Sequence, residues 1–376
     1  MKNLKDLIKT IQDVPSWKDV VSELKEVDTL LTEISKTNNK LSKSALESIA
    51  NNAFRAAGQY GGSAADYLSG IQEASLAGFK NVEGIAELSM AAQNAGNITA
   101  ELANQILSAA NQAYRLNGSV SELAKVLDGM NYISGQNALS MAELAKGMAA
   151  LGSTAASLGV GADEAAAALG TMIAVTRQSG SEAANALKEI LLNIRQVADG
   201  EDGISAKGIA RYEAACSALN VKLKETKYGV LSLRDPMDVL KDLAAAYNSL
   251  NESDPRRSGL ISAVGSSSSG EQLDALLSQW DTYETMVRQY ADGTGSMAAE
   301  AEQTVDSWEG SLNRLSNTWT STVGNFANSD AIVSAVNNLN SLLTVINNVT
   351  ENLSSFGTIG LSGLGIGITA FVKNFA

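Results

Sequence analysis

Glycine recurs about every twenty residues through the middle of this chain, and the runs between are built from strong helix formers. Gly58, Gly78, Gly96, Gly118, Gly135, Gly159, Gly180 and Gly200 punctuate Ala- and Leu-rich segments, and proline occurs only at Pro15, Pro236 and Pro255. Glycine takes the left-handed conformation that closes a helix without steric cost, so each run reads as one helix ended by its glycine. Starts are marked as well. Ser119 with Glu122 and Ser140 with Glu143 have the spacing of capping boxes, and Ser63 precedes Asp66 by three. A single helix of this length would be a rod of roughly 560 Å at about 1.5 Å per residue. Punctuation at both ends of each run favours antiparallel helix hairpins instead. The expected fold class is all-α: Gly-punctuated helical hairpins, flanking long coiled-coil-like helices and at most one short β-hairpin.

The material between the glycines sets the kind of core. Hydrophobic residues make up 45% of the chain but aromatics only 5%. Alanine, leucine, valine and isoleucine therefore do the packing, through thin helix-helix contacts. A short repeat, [Ala/Ser]-Glu-Leu-[Ala/Ser], stands at 86–89, 100–103, 121–124 and 142–145, the last three 21 residues apart. It suggests successive helix units meeting through Leu88, Leu102, Leu123 and Leu144.

Two places depart from this pattern. From Leu219 to Asp235 apolar and polar residues alternate around Tyr228-Gly229, which reads as a hairpin; Asp235-Pro236 then opens a helix with Met237, Leu240 and Leu243 on one face. Ser266 to Ser269 form a run of four serines between Gly265 and Gly270, which reads as a mobile loop.

The flanks carry heptad-like seams. Leu4, Leu7, Ile8 and Ile11 share a helical face before Pro15, with Ser16 able to cap the next helix. Trp17, Val20, Leu24, Val27, Leu31 and Ile34 then keep a 3-4 spacing, either as a coiled-coil seam or as a face packed on the neighbouring helices. Val305, Trp308, Leu312, Leu315, Trp319, Val323 and Phe326 form a further seam, expected to drive self-association. Ile332, Val336, Leu339, Leu343, Ile346, Val349 and Leu353 continue it. Residues 303–376 carry six charges in 74 positions, so these helices are polar without being charged and suit packing against copies of themselves. The end, 356–372, has no charged residue. Its length is at the short limit for a bilayer, and Gly363 and Gly367 make a close-packing GxxxG pair. Ile359, Leu361, Gly363, Leu364, Gly367, Ile368 and Phe371 are the candidate membrane-inserting residues, a buried Gly-rich turn being the alternative. Four units are expected: amphipathic helices at 1–41, a helical core domain at 42–295, heptad-patterned helices at 296–356 and a Gly-rich apolar segment at 357–376.

Composition also limits the chemistry. The net charge of −13 gives no electrostatic drive toward phosphate backbones, so no nucleic-acid binding is expected. The absence of histidine removes the usual zinc sites and Ser-His or Cys-His nucleophiles. Cys216, the single cysteine, reads as a small buried apolar residue. No secretory h-region is found at the N-terminus. No Walker, Rossmann or EF-hand motif occurs. No cofactor, metal or catalytic residue is assigned, and an enzyme is not expected.

Between about Thr99 and Asn325 the chain resembles phage tail tape measure proteins. The likeness is carried by Ala142-Glu-Leu-Ala-Lys-Gly-Met with Ala155-Ala-Ser-Leu-Gly-Val, by Gly180-Ser-Glu-Ala-Ala-Asn-Ala-Leu-Lys with Ile190-Leu-Leu, and by Leu219-Asn-Val through Gly229 to Leu233-Arg-Asp-Pro, in that order. At Ser266–Ser269 the chain departs from the Gly- and basic-containing turn of that family. The resemblance implies the N-terminal portion of a longer structural protein that rules tail length and leaves ahead of the DNA. It also implies a homo-oligomer in the lumen of the virion tail tube, in the host cytoplasm during assembly, contacting the tail tube protein and tail assembly chaperones. The alternative is a membrane-inserting, pore-forming or fusion protein that uses the Gly-rich end against a host membrane.

Overall fold

The computed structural model describes residues 17–37, 41–60, 62–199, 206–227, 230–265 and 268–305. Within them the chain runs α1 (Trp17–Thr37), α2 (Lys43–Tyr60), α3 (Ala64–Leu76), α4 (Val82–Gly96), α5 (Ala100–Ala113), α6 (Val120–Gln136), α7 (Met141–Ser157), α8 (Ala162–Thr176), α9 (Gly180–Asp199) and α10 (Ala206–Ala218). A hairpin of β1 (Lys224–Lys227) and β2 (Val230–Leu233) follows, then α11 (Pro236–Ser249), α12 (Pro255–Val264), α13 (Gly270–Ser278), α14 (Trp280–Asp292) and α15 (Ser296–Val305). The fold is all-α apart from that hairpin.

Helix starts follow the local chemistry. The Asp66 amide donates to Ser63 Oγ and the Ser63 amide to Asp66 Oδ2, each at 3.0 Å, a complete reciprocal box. Ser119 and Ser140 make only half of theirs. Their hydroxyls accept from the Glu122 and Glu143 amides at 3.3 Å, while the two carboxylates turn to Lys125 and Lys146. Three of the four tetrapeptides form the first turns of α5, α6 and α7; the one at 86–89 lies inside α4. Leu102, Leu123 and Leu144 are buried in one core, against which Leu88 packs.

Helix ends differ from the glycine rule. Gly78, Gly118 and Gly159 do sit at positive φ behind their helices, but Gly58 and Gly135 lie inside α2 and α6, and Gly180 opens α9. Asn97 (φ 47°) and Arg177 (φ 58°) hold the left-handed cap positions of α4 and α8. Asparagine tolerates that conformation through its short polar side chain; for Arg177 nothing in the structure explains the choice. Gly200 lies outside the described residues.

Two apolar cores share α4 as a wall. In the smaller, Val27 and Ile34 of α1 meet Ala53, Ala56 and Ala57 of α2, Tyr67, Leu68 and Ile71 of α3, and Ala86 and Met90 of α4. The described part of the N-terminal seam therefore packs within the chain; the side chains of Trp17, Val20 and Leu24, and the helix expected over 2–14, lie outside the described residues. In the larger core, α8 is central. Ala165, Ala166, Ala167, Ala168, Leu169 and Met172 are fully buried, and the helix packs on α6, α7, α9, α13 and α14. A helix apolar on all sides can only be an interior one.

The hairpin is antiparallel with Lys224 opposite Leu233 and Lys227 opposite Val230. That register leaves two residues for the turn, as the sequence indicates, although Tyr228-Gly229 themselves lie outside the described residues. Asp235 caps α11 through the Met237 amide at 2.8 Å, and Met237, Leu240 and Leu243 are buried together. The serine run is not a loose linker at its second half. Ser269 is fully buried, stands at the N-cap of α13 and donates to the Gly265 carbonyl, and Ser268 donates to Glu189 at 2.8 Å. Ser266 and Ser267 lie outside the described residues.

Candidate functional site: two helix joints built on glycine

An α-helix leaves its first amides without intrahelical acceptors, and a carboxylate placed there satisfies them while complementing the helix dipole. Two helices of this protein take that carboxylate from a different helix.

The first joint couples α7 to α9. Glu143, in the first turn of α7, is held by Lys146 Nζ at 2.7 Å on one oxygen and accepts the Gly180 amide at 2.7 Å on the other. Both bonds lower the Glu143 pKa below the ordinary carboxylate value, the Lys146 contact more than the Gly180 amide. The approach is backbone to backbone. A Cβ on Gly180 would meet the Glu143 carbonyl oxygen at 1.7 Å, and one on Gly147 would meet the Gly180 carbonyl at 3.0 Å. Ser179 and Glu182 complete a reciprocal box on the same helix start, with the Ser179 amide donating to Glu182 at 2.9 Å and the Glu182 amide to Ser179 Oγ at 3.3 Å. Here two of the stretches that carry the family resemblance, Ala142–Met148 and Gly180–Lys188, meet in space.

The second joint couples α6 to the turn between α14 and α15. Gly295 precedes α15 and has no side chain with which to cap it. Asp128 of α6 does so instead: Oδ2 accepts the Gly295 amide at 2.8 Å and Oδ1 the Met297 amide at 3.0 Å, while its carbonyl accepts from Ser296 Oγ at 2.8 Å. Asn131 adds a donor to Glu300 at 2.8 Å. Glycines again allow the approach. A Cβ on Gly293 would meet the Asp128 carbonyl at 2.7 Å and Gly129 Cα at 3.0 Å, and one on Gly129 would strike the Tyr290 ring at 2.5 Å. Beside this joint lies a cleft of about 420 Å³ bordered by Asn97, Asn131, Ser134, Gly135, Ser140 and Glu300.

Neither joint was assigned from sequence. The signal for the second is Asp128, Asn131 and Gly135, a polar and small stripe beside the apolar face of α6, together with Gly293-Thr-Gly295 ahead of Ser296. Of the expected self-association residues only Val305 falls within the described chain, as the last residue of α15. Trp308, Leu312, Leu315, Trp319, Val323 and Phe326 lie outside it, as do the second seam and the candidate membrane residues from Ile359 to Phe371. Among the described residues no helix is long and apolar enough to cross a membrane, and no group of three or more acidic or cysteine side chains is placed to hold a metal. Cys216 is buried, which pushes its thiol up to about 12, with Glu213 adding to the shift. Such a thiol is not a nucleophile at neutral pH.

Comparison with known proteins bears on what this architecture serves. Residues 18–265 match the family model of phage-related minor tail proteins. The chain belongs to that family. As a phage-related minor tail protein it has a structural role in the phage tail. The matched region covers α1 from its second residue through α12, all of the first joint, and Asp128 of the second, while Gly293 to Ser296 lie beyond it. No solved structure matches the chain.

Proposed function

We propose that this minor tail protein is a portion of a tail tape measure protein: a non-enzymatic ruler and scaffold for tail tube assembly, released ahead of the DNA. The observation that supports it is the first joint. The stretches that resemble tape measure proteins are occupied in fixing one helix start against another through Glu143 and Gly180, which is architecture and not catalysis. On this reading the protein acts as a homo-oligomer in the tail tube lumen. It meets the tail tube protein and assembly chaperones in the host cytoplasm, and its Gly-rich end reaches a host membrane at delivery.

The test is tail length. In-frame removal of 332–352, three heptads of the second seam, should shorten tails by about 30 Å at roughly 1.5 Å per residue. Electron microscopy of many virions resolves that mean difference. Intact tails of unchanged length would overturn the ruler role. If the deletion abolishes particles, a duplication of the same 21 residues should lengthen tails by the same amount, and unchanged length there overturns the reading equally.

A further inference from the structure

We propose that α15 is a releasable strap, clamped onto α6 by the Asp128 carboxylate and hinged at Gly293–Gly295, whose opening lifts residues 296–305 off the helical body. The inference rests on the second joint alone and stands whether or not the protein is a ruler.

Three observations carry it. Among the described side chains of α15 the contacts with α6 are mostly polar. Of the described side chains on α15, Ser296 to Glu300, only Met297 is buried; the others are exposed or half-buried. The grip comes from both Asp128 oxygens, the Ser296 hydroxyl and the Asn131–Glu300 bond. Hydrogen bonds of this kind fix position sharply, and here two of them converge on one buried side chain, so the Asp128 carboxylate is the point of release.

The hinge is already built. Gly295 sits at φ +84° with nothing within 4 Å of where a Cβ would be, so no side-chain packing resists its turning once the Asp128 bond to its amide is broken. Gly293, two residues before, is pinned against Asp128 and Gly129. Motion is therefore directed to the Gly295 side, and α14 stays on the core through buried Trp280, Tyr283 and Met286.

The seat borders an open cleft. The cleft bordered by Asn131, Gly135 and Glu300 meets α15 at Glu300, and a Cβ on Gly135 would lie 3.7 Å from Glu300 Oε1, an ordinary contact distance. The strap also spans the two cores. It packs on α6 from the larger core, on α2 from the smaller and on their shared wall α4. Opening it would uncover parts of all three at once.

Amide hydrogen exchange on the full chain tests this. Asp128→Ala should speed exchange of peptides within 293–305 by about tenfold or more, while α7, α8 and α9 keep their protection. Ser296→Ala, which removes the hydroxyl bond to the Asp128 carbonyl and the one accepted from Asn131 but leaves the carboxylate in place, should change the same peptides in the same direction by a smaller factor. It keeps the test open if the first variant fails to fold. Unchanged exchange at 293–305 in the folded variants would show that the carboxylate is not the clamp. Loss of protection in α8 and α9 together with α15 would show that α15 opens only when the whole body does. Either result overturns the strap.

Discussion

The two glycine joints use one device, and the side chains described behind them differ. At both, a carboxylate on a neighbouring helix accepts an amide at a helix start, and glycines let the backbones close. Behind the Glu143–Gly180 contact, α9 buries Ala183, Ala184, Leu187, Ile190, Leu191 and Ile194 in the larger core. Each of the larger side chains contributes about 1.5–3 kcal/mol on full burial. Behind the Asp128–Gly295 contact, the described side chains of α15 bury only Met297. The difference separates two jobs that are easily conflated: the carboxylate sets where a helix starts against its neighbour, and the apolar face behind it sets whether the helix stays.

The contrast can be broken by substitutions of decreasing severity. Gly180→Ala places a Cβ 1.7 Å from the Glu143 carbonyl, which only separation of α7 and α9 relieves. It is expected to cost about 3 kcal/mol or more of global stability, read as a shift of the urea midpoint. A shift under about 0.5 kcal/mol would contradict the close approach of these two backbones. Gly293→Ala makes a milder clash of the same kind at the second joint, 2.7 Å from the Asp128 carbonyl. Its expected cost of about 1–2 kcal/mol should be confined to α15. Local amide exchange at 293–305 should rise while the urea midpoint barely moves; an equal fall in global stability would erase the distinction between the joints.

The smallest effect sharpens the comparison through pH. Lys146 first, and the Gly180 amide second, hold the Glu143 carboxyl below its ordinary range. A lowered native pKa means that the ionised form contributes stability above the unfolded carboxylate value, and that this contribution is lost as pH falls through the native value. The side chain is partly exposed, so solvent screening keeps the effect to about 0.5–1 kcal/mol. Glu143→Gln should therefore be less stable than the parent by that amount at pH 7, and the gap should close on acidification below about 4. A gap that persists at low pH would assign the loss to packing and not to charge.

Legibility in the sequence follows the range of the forces. Ser63, Ser119 and Ser140 identify helix starts because a cap bonds an amide three residues away, and Asp235-Pro236 does so for the same reason. The hairpin is legible from alternation around Tyr228-Gly229. The glycines mislead where their purpose is tertiary. Gly180 reads as a helix end and is a helix start, because what it lacks, a Cβ, matters to α7 and not to its own helix. Glu143 reads as half of a local box, yet one of its two oxygens serves a helix 37 residues on. Asp128 is a charge in a buried stripe whose partner lies 167 residues away, and nothing local marks that pairing. Ser269 reads as linker because four serines in a row suggest solvent; its buried hydroxyl has the Gly265 carbonyl to bond, which only the assembled α12–α13 corner supplies.

The position of α15 has a consequence for how the molecule bears load. Both α15 and α1 pack against α2, so the two ends of the described chain leave from a shared neighbour. Tension applied between them therefore has a short route across α2, beside the longer ones through α3, α4 and α6. The edge helices α1 and α15 take such a pull first, and the alanine-lined interior around α8 feels it only through its neighbours.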